Sequence, residues 1–230
     1  MFSLQKMLDE IGPERQERRV ALRHRERQIK AIERAYDVNL GKLKTLFPVH
    51  REERRTLTVA PHIEVRELEA IGVHALLVRQ TIEVAQVPRY ISIIRGECDE
   101  TSWQVYERGA LRTLLKHDEA LSGTNMRLLT NDAELVHRLA DSGFNPPGTW
   151  LAFYELGPFV GSLQGNAAYW YSQLWDPYWG GLSLVEQTEF LEKQRLESTA
   201  YMSDEEWQGW VDRLGFRDSR ICDSLSSNNP

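Results

Sequence analysis

The chain's aromatic residues are concentrated in residues 150 to 179, which read WLAFYELGPFVGSLQGNAAYWYSQLWDPYW. Ten of the chain's 22 Phe, Tyr and Trp residues fall in this stretch. Aromatic side chains bury large areas and dominate both protein cores and protein interfaces. The stretch therefore forms either the middle of a domain or a surface that a partner covers.

Turn-forming residues interrupt this aromatic stretch at Gly157-Pro158 and at Asp176-Pro177. We expect short helical pieces joined by turns rather than one long helix. Aliphatic residues such as Leu163 and Leu174 lie among the rings, which favours a packed core for most of them. Successive residues on a helix point in different directions, so three consecutive rings cannot all face that core. The three consecutive rings are Tyr169, Trp170 and Tyr171. At least one of them is expected at the surface, where it could stack on a sugar, a base or a peptide.

Two capping signatures predict helices after the aromatic stretch. Ser183 is followed three residues later by Glu186, and Ser203 by Glu206, which is the spacing of a capping box. The second helix carries an apolar stripe that must be buried against another element, and the aromatic stretch is the nearest candidate. The stripe consists of Trp207, Trp210, Val211 and Leu214.

Residues 56 to 96 are rich in β-branched residues, which favours strands. We predict strands at 56 to 60 and 89 to 95. Residues 62 to 87 fit either a buried helix or two strands, because their apolar residues satisfy both periods. Residues 102 to 107 alternate and are predicted to pair with 89 to 95. Helices are then predicted at 110 to 121 and from an Asn131 cap to about Ser142.

The sequence pattern of the N-terminal region also predicts helices. Gly12-Pro13 ends a first short helix, and a long amphipathic pattern then runs to Phe47. Apolar residues recur at seven-residue intervals, as in the seam of a coiled coil, although a helix lying on its own domain would show the same pattern. The seam residues, which we predict to bind a partner, are Leu22, Ile29, Ile32, Tyr36 and Leu43.

The same helix is rich in arginine. Basic residues at helical spacing can follow the phosphates of a nucleic acid. Glutamates are interleaved with them, and Glu14 precedes Arg18 by four residues, which is typical of a solvated helix face. The arginines that would contact nucleic acid are Arg15, Arg18, Arg19, Arg23 and Arg27.

Charge divides the chain into two parts. Residues 1 to 55 hold 14 Lys and Arg against 9 Asp and Glu, a net charge of +5, whereas the remainder holds 14 against 25, a net charge of −11. We predict a basic helical arm at 1 to 55, able to form a coiled coil, and an acidic globular body at 56 to 218. Residues 219 to 230 are polar and predict a flexible tail. The fold class is α+β and predominantly helical, with strands in the middle and a helical, aromatic-rich C-terminal part.

Several function classes lack support in the sequence. No apolar run is long enough for a membrane span and no secretory signal is recognisable, so a cytoplasmic location is expected. Cys98 and Cys222 match no metal-binding spacing, and no cofactor motif is present, so neither a metal nor a cofactor is predicted. The cluster from Lys116 to Glu119, on a predicted helix, is interpreted as a surface charge cluster.

These observations favour a non-enzymatic interaction or assembly protein, of the immunity or inhibitor kind or a subunit of a larger complex. Its partner would be another protein or a second copy of the chain, since the arm is basic and the body acidic. A nucleic-acid-associated protein is the first alternative. A hydrolase whose site is assembled from distant residues is the second, because such a site leaves no local signature.

Overall fold

The computed structural model describes residues 4–49, 58–96, 98–121, 123–158, 163–218 and 220. Cys222, Phe159, part of the predicted strand at 56 to 60 and nearly all of the predicted tail lie outside these ranges. Helices account for 56% of the structure and strands for 20%, which confirms the predominantly helical α+β class.

The strands are β1 (Glu64–Glu67), β2 (Leu76–Glu83), β3 (Asp99–Ser102), β4 (Val105–Arg108), β5 (Leu111–Ala120) and β6 (Gly123–Thr130). The helices are α1 (Leu4–Tyr36), α2 (Leu40–Leu46), α3 (Val87–Arg95), α4 (Ala133–Asp141), α5 (Thr149–Ala152), α6 (Gly165–Trp170), α7 (Asp176–Gly181), α8 (Leu184–Ser198) and α9 (Asp204–Arg217). A π-helical turn at Tyr171–Trp175 joins α6 to α7.

The six strands form one antiparallel sheet in the order β1-β2-β6-β5-β4-β3. One face packs on α3 and α4, where side chains from β2, β5 and β6 are buried with residues of both helices. On the other face, Leu77, Leu129 and Leu114 lie side by side on adjacent strands. We call these three residues the apolar row.

The end of α1 and all of α2 cover the apolar row. Ile32, Tyr36, Leu43 and Phe47 are buried in one cluster with it. The sheet is therefore the middle of three layers, and residues 29 to 47 belong to the folded core.

Both edge strands of the sheet carry charged residues. The edge strand β1 reads EVRE, and β3 at the opposite edge reads DETS and is exposed along its whole length. Charged side chains at an exposed edge oppose pairing with a strand of another molecule.

The N-terminal helix begins and ends elsewhere than predicted. It continues through Gly12-Pro13 without a break and ends at Tyr36, so the predicted continuous pattern up to Phe47 is wrong. Asp37 has a left-handed backbone conformation with φ of 54°, which stops the helix. The side chain of Asn39 then accepts a hydrogen bond from the Lys42 amide and caps α2.

In the middle of the chain, several segments form a different secondary structure from the one predicted. Residues 58 to 60 have no regular structure, and the predicted strand at 89 to 95 is part of α3. The predicted helix at 110 to 121 is β5. Residues 62 to 87 contain two strands, and β4 pairs with β3 and β5 rather than with 89 to 95.

These differences have a physical reason. Helices cover both faces of the sheet, so burial outweighs the local sequence pattern. Leu114 and Leu115 are adjacent and point to opposite faces, and both are buried because helices cover both faces. Such a strand lacks the polar alternation that distinguishes it from a helix. In α3, Tyr90 and Ile94 at helical spacing face the core, and this burial outweighs the β-branched composition.

The helices of the C-terminal part match the capping signals. Both predicted capping boxes are formed, Ser183 with Glu186 and Ser203 with Glu206. In α4 the cap is Asp132, which accepts a hydrogen bond from the Leu135 amide, and not Asn131.

Most of the aromatic stretch is core, as predicted. Trp175 lies at its centre, with ring centroids of Trp179, Trp170 and Trp150 at 5.5, 5.9 and 6.2 Å. Trp150 also contacts Trp207 of α9, at 4.7 Å. The apolar stripe of α9 is thus buried against the aromatic cluster, as expected from its spacing.

A buried junction connects the sheet to this cluster. Residues 144 to 150 are buried, and Asn145 donates a hydrogen bond to Glu83 at 2.6 Å and exchanges hydrogen bonds with Gln86. Gln194 of α8 lies 3.5 Å from the same Glu83 carboxylate. Burial raises the pKa of Glu83, and the charge of Glu197 raises it further.

We expect two truncations to behave differently. A chain starting at Gln28 should fold, because it keeps Ile32 and Tyr36, the buried side chains among the described residues of α1. A chain starting at Thr56 should not, because it loses four buried apolar side chains worth about 1.5 to 3 kcal/mol each, against a total stability of about 5 to 15 kcal/mol. Chemical denaturation followed by circular dichroism measures both. Cooperative unfolding of the shorter chain would show that the acidic body folds without the arm.

Replacement of Trp175 by Ala should lower the free energy of unfolding by about 3 to 5 kcal/mol, since the indole is fully buried among other rings. Trp103→Ala is the matched control, because that side chain is 78% exposed. Urea titrations of both variants give the comparison. Equal stability of Trp175→Ala and the parent would refute the core assignment.

The raised pKa of Glu83 predicts a pH dependence of stability. A carboxyl group whose pKa is higher in the folded state stabilises that state fully at low pH, and the contribution is lost as the pH rises through the folded pKa. Glu83→Gln should therefore lose less stability above pH 4.5 than the parent. Glu186→Gln is the control of opposite sign, because hydrogen bonds from Ser183 lower the pKa of Glu186. Identical pH profiles of melting temperature for Glu83→Gln and the parent would contradict the prediction.

Candidate functional site

The middle of α1 is exposed over twelve consecutive residues. Residues 16 to 27 are all exposed, whereas Ile32 and Tyr36, further along the same helix, are buried. We call residues 16 to 27 the projecting segment. At about 1.5 Å per residue it is roughly 18 Å long.

The predicted seam is divided between this segment and the core. Ile32, Tyr36 and Leu43 are buried in the chain's own core, and Ile29 is half-buried and packs against the same cluster. Leu43 also lies in α2, beyond the break after Tyr36. Leu22 alone lies on the projecting segment, with 57% of its surface exposed.

A second apolar group on the projecting segment was missed from the sequence. Val20 is 60% exposed, and with Ala21 and His24 it borders a shallow hollow of about 820 Å³ that reaches Ala70 in the turn before β2. The group follows helical spacing from Glu17 to Gln28. The seven-residue period instead predicted a seam on the other side of the helix. Helical spacing shows that these residues share a side of α1, but it does not show which side the core leaves exposed.

The projecting segment is basic. Arg18, Arg19, Arg23 and Arg27 of the predicted nucleic-acid contacts lie on it, together with Arg25, and all are exposed. The side chain of Arg15 lies outside the described part. Five arginines against Glu17 and Glu26 give the segment a net charge of +3.

The outer surface of α8 and of α9 up to Asp212 is acidic. Residues 183 to 212 hold eight Asp and Glu against two Lys and Arg, a net charge of −6. Along α8, Val185, Glu189, Glu192 and Leu196 follow one another at intervals of four, three and four residues, so they share one face, and all are exposed. We call these four residues the acidic stripe.

The predicted aromatic surface is reduced to one ring. Trp170 and Tyr171 are buried, and Tyr169 is 67% exposed. This matches the expectation that one of three consecutive rings reaches the surface. The guanidinium of Arg217 lies 4.6 Å from the centre of the Tyr171 ring, so its surface side is covered.

The residues considered for catalysis are dispersed. Lys116 to Glu119 lie on β5, where alternate residues face opposite sides, so Lys116 and Asp118 share one face and His117 lies on the other. Cys98 is half-buried near the end of α3. Within the described ranges, no three His, Cys, Asp or Glu side chains are grouped in a way that could hold a metal ion.

Among the helices that the structure describes, none combines the length and the apolar character needed to cross a membrane. No protein-family model, curated protein or solved structure matches the chain.

Proposed function

We propose that this chain is an assembly protein, and that its copies associate when the projecting segment of one copy binds the acidic stripe of another. The observation that carries the proposal is the exposure of residues 16 to 27 around the whole helix, with Val20 and Leu22 more than half exposed. No reaction is part of this proposal.

The projecting segment has little internal reason to be a stable helix. Isolated helices of this length are marginal in water, and helices in proteins gain most of their stability from a packed apolar face. Its β-branched Val20 and its apolar Leu22 are exposed, so nothing in the described chain supplies that packing. A partner that covers these side chains would stabilise the helix.

Charge favours a second copy as that partner. The projecting segment carries +3 and residues 183 to 212 carry −6. Two projecting segments would repel each other, which argues against a coiled coil formed by two of them. The acidic stripe also offers Val185 and Leu196, 67% and 74% exposed, as apolar contacts for Val20 and Leu22. The two surfaces are thus complementary in charge and in apolar content.

This arrangement limits the possible symmetries of the assembly and makes the contact sensitive to salt. If two copies exchange their projecting segments, the result is a closed dimer with twofold symmetry, whereas one-way binding would produce a ring or an open chain. Few apolar side chains take part, and exposed ion pairs are screened by salt. The association is therefore expected to weaken as the salt concentration rises.

We expect the double variant Val20→Ser, Leu22→Ser to have a lower average mass in solution than the parent, because it loses the apolar contacts of the segment. Val84→Ser is the control, since Val84 is 61% exposed at a different place. Sedimentation equilibrium over a range of protein concentrations measures the mass. A parent chain that stays monomeric at every concentration would refute the proposal.

Charge reversal tests the partner surface itself. Arg23→Glu with Arg27→Glu should abolish association, and Glu189→Arg with Glu192→Arg should do the same. A mixture of these two double variants should associate again, because both contacts of a mixed dimer are complementary in charge: one pairs the native surfaces and the other pairs the two reversed surfaces. If the mixture stays monomeric, the acidic stripe is not the partner. If the parent instead binds mixed DNA and RNA with a steep salt dependence and does not self-associate, the nucleic-acid alternative replaces this proposal.

A further inference from the structure

A polar groove lies on the sheet face that carries the apolar row, beyond the end of the α1 and α2 layer. Its floor is formed by β1, β2, β5 and β6, and its opposite wall by Tyr169, Gln173 and Leu174 from α6 and the π-helical turn. The volume of about 650 Å³ is within the usual range for small-molecule sites. The groove is separate from the projecting segment and from the acidic stripe.

Like charges stand next to one another on the strands that form this floor; Glu64, Arg79 and Arg127 line the groove, and Lys116 is the next residue in the row. Glu64, Arg79, Arg127 and Lys116 are direct neighbours across β1, β2, β6 and β5. Directly opposed residues in a sheet have Cβ atoms about 4.5 to 5.5 Å apart, and like charges at this spacing destabilise the sheet. Three cations therefore stand in a row with one carboxylate at its end.

The nearby carboxylates neutralise this row only in part. Glu64 lies 2.5 Å from Arg66, and its other oxygen is 3.6 Å from Arg79, which is too long for a hydrogen bond. Asp118 pairs with Arg127 and accepts a hydrogen bond from Asn125. Within the described ranges, the guanidinium of Arg79 donates no hydrogen bond.

Three buried polar atoms in or beside the row form no hydrogen bond within the described part of the chain. Two can donate, Nε of Arg127 and the hydroxyl of Tyr36 at the end of α1, and the third is Oε1 of Glu64, which pairs with Arg66. Burial raises the pKa of Tyr36, while the charges of Arg127 and Arg79 lower it, so the hydroxyl lies within the electrostatic range of both guanidiniums. Unsatisfied buried donors are uncommon in folded proteins.

The wall of the groove supplies a flat apolar surface. Tyr169 is 67% exposed, and the half-buried Leu174 lies on the same wall. An exposed aromatic ring beside a cationic floor can hold the flat part of a ligand while the floor holds its charge. Asn125 and Gln173 add amide groups that can hydrogen bond to polar substituents.

We infer that this groove binds a small organic oxyanion, a phosphate monoester or a carboxylate, whose charged group bridges Arg79 and Arg127 and whose flat part lies on Tyr169. A guanidinium presents a planar fork of donors that matches two oxygens of such a group. A bridging anion would relieve the repulsion between the opposed arginines and occupy their unused donors. The binding site is formed within one copy of the chain, so it does not depend on association.

The test is calorimetric titration of the full chain with adenosine 5′-monophosphate, benzoate and inorganic phosphate, each at the same ionic strength set with sodium chloride. The first two distinguish a phosphate from a carboxylate, and the third lacks the flat part. We expect saturable binding of at least one ring-bearing probe, tighter than that of inorganic phosphate. Arg79→Gln and Arg127→Gln should each weaken it about tenfold or more.

Two further variants separate the parts of the inference. Tyr169→Ala should weaken the binding of the ring-bearing probes and leave the binding of inorganic phosphate unchanged. Lys193→Gln, which removes a charge outside the groove, should change neither. Without a probe, Arg79→Gln should melt no lower than the parent, because a repulsion is removed; a lower melting temperature would show that Arg79 is a structural ion-pair partner. Absence of saturable binding by both ring-bearing probes, or unchanged binding in Arg79→Gln and Arg127→Gln, overturns the inference.

Discussion

Burial of the apolar row under α1 and α2 is the contact on which the rest of the structure depends. Leu77, Leu129 and Leu114 come from three adjacent strands, and Tyr36 and Phe47 close over them from a single N-terminal segment. This contact turns a sheet with one covered face into the middle of three layers. The contact uses only the C-terminal end of α1, which leaves residues 16 to 27 of the same helix exposed.

This contact also explains which elements could be predicted from the sequence and which could not. Capping boxes and the stripe of α9 depend on residues close in sequence, so Ser183, Ser203 and Trp210 could be placed correctly. The identity of β5 depends on helices about 70 residues away in the chain that cover one of its faces. The pair Leu114 and Leu115 therefore fits a helix equally well until that cover is known.

The surfaces proposed for binding were likewise predictable only where they depend on residues close in sequence. The basic character of α1 and the exposure of one ring among three were predicted from local sequence. The exposed side of α1 could not be chosen, because the core takes Ile32 and Tyr36 from the predicted seam and leaves Val20 on the surface. The row of Arg79, Arg127 and Lys116 requires the register of β2 against β6, two strands that α3, β3, β4 and β5 separate in the sequence. Strand register of this kind is not visible in any local pattern.

If the chain assembles as proposed, its charged edge strands have a consequence for an assembly of many copies. Association brings sheets of identical sequence close together, which is the condition under which edge strands can join into a continuous ladder and convert an array into an amyloid-like fibre. Asp99 and Glu100 on β3 would then face like charges on the next copy, and Glu64 and Glu67 do the same on β1. Crowded copies can thus remain separate folded units, and their contacts remain reversible.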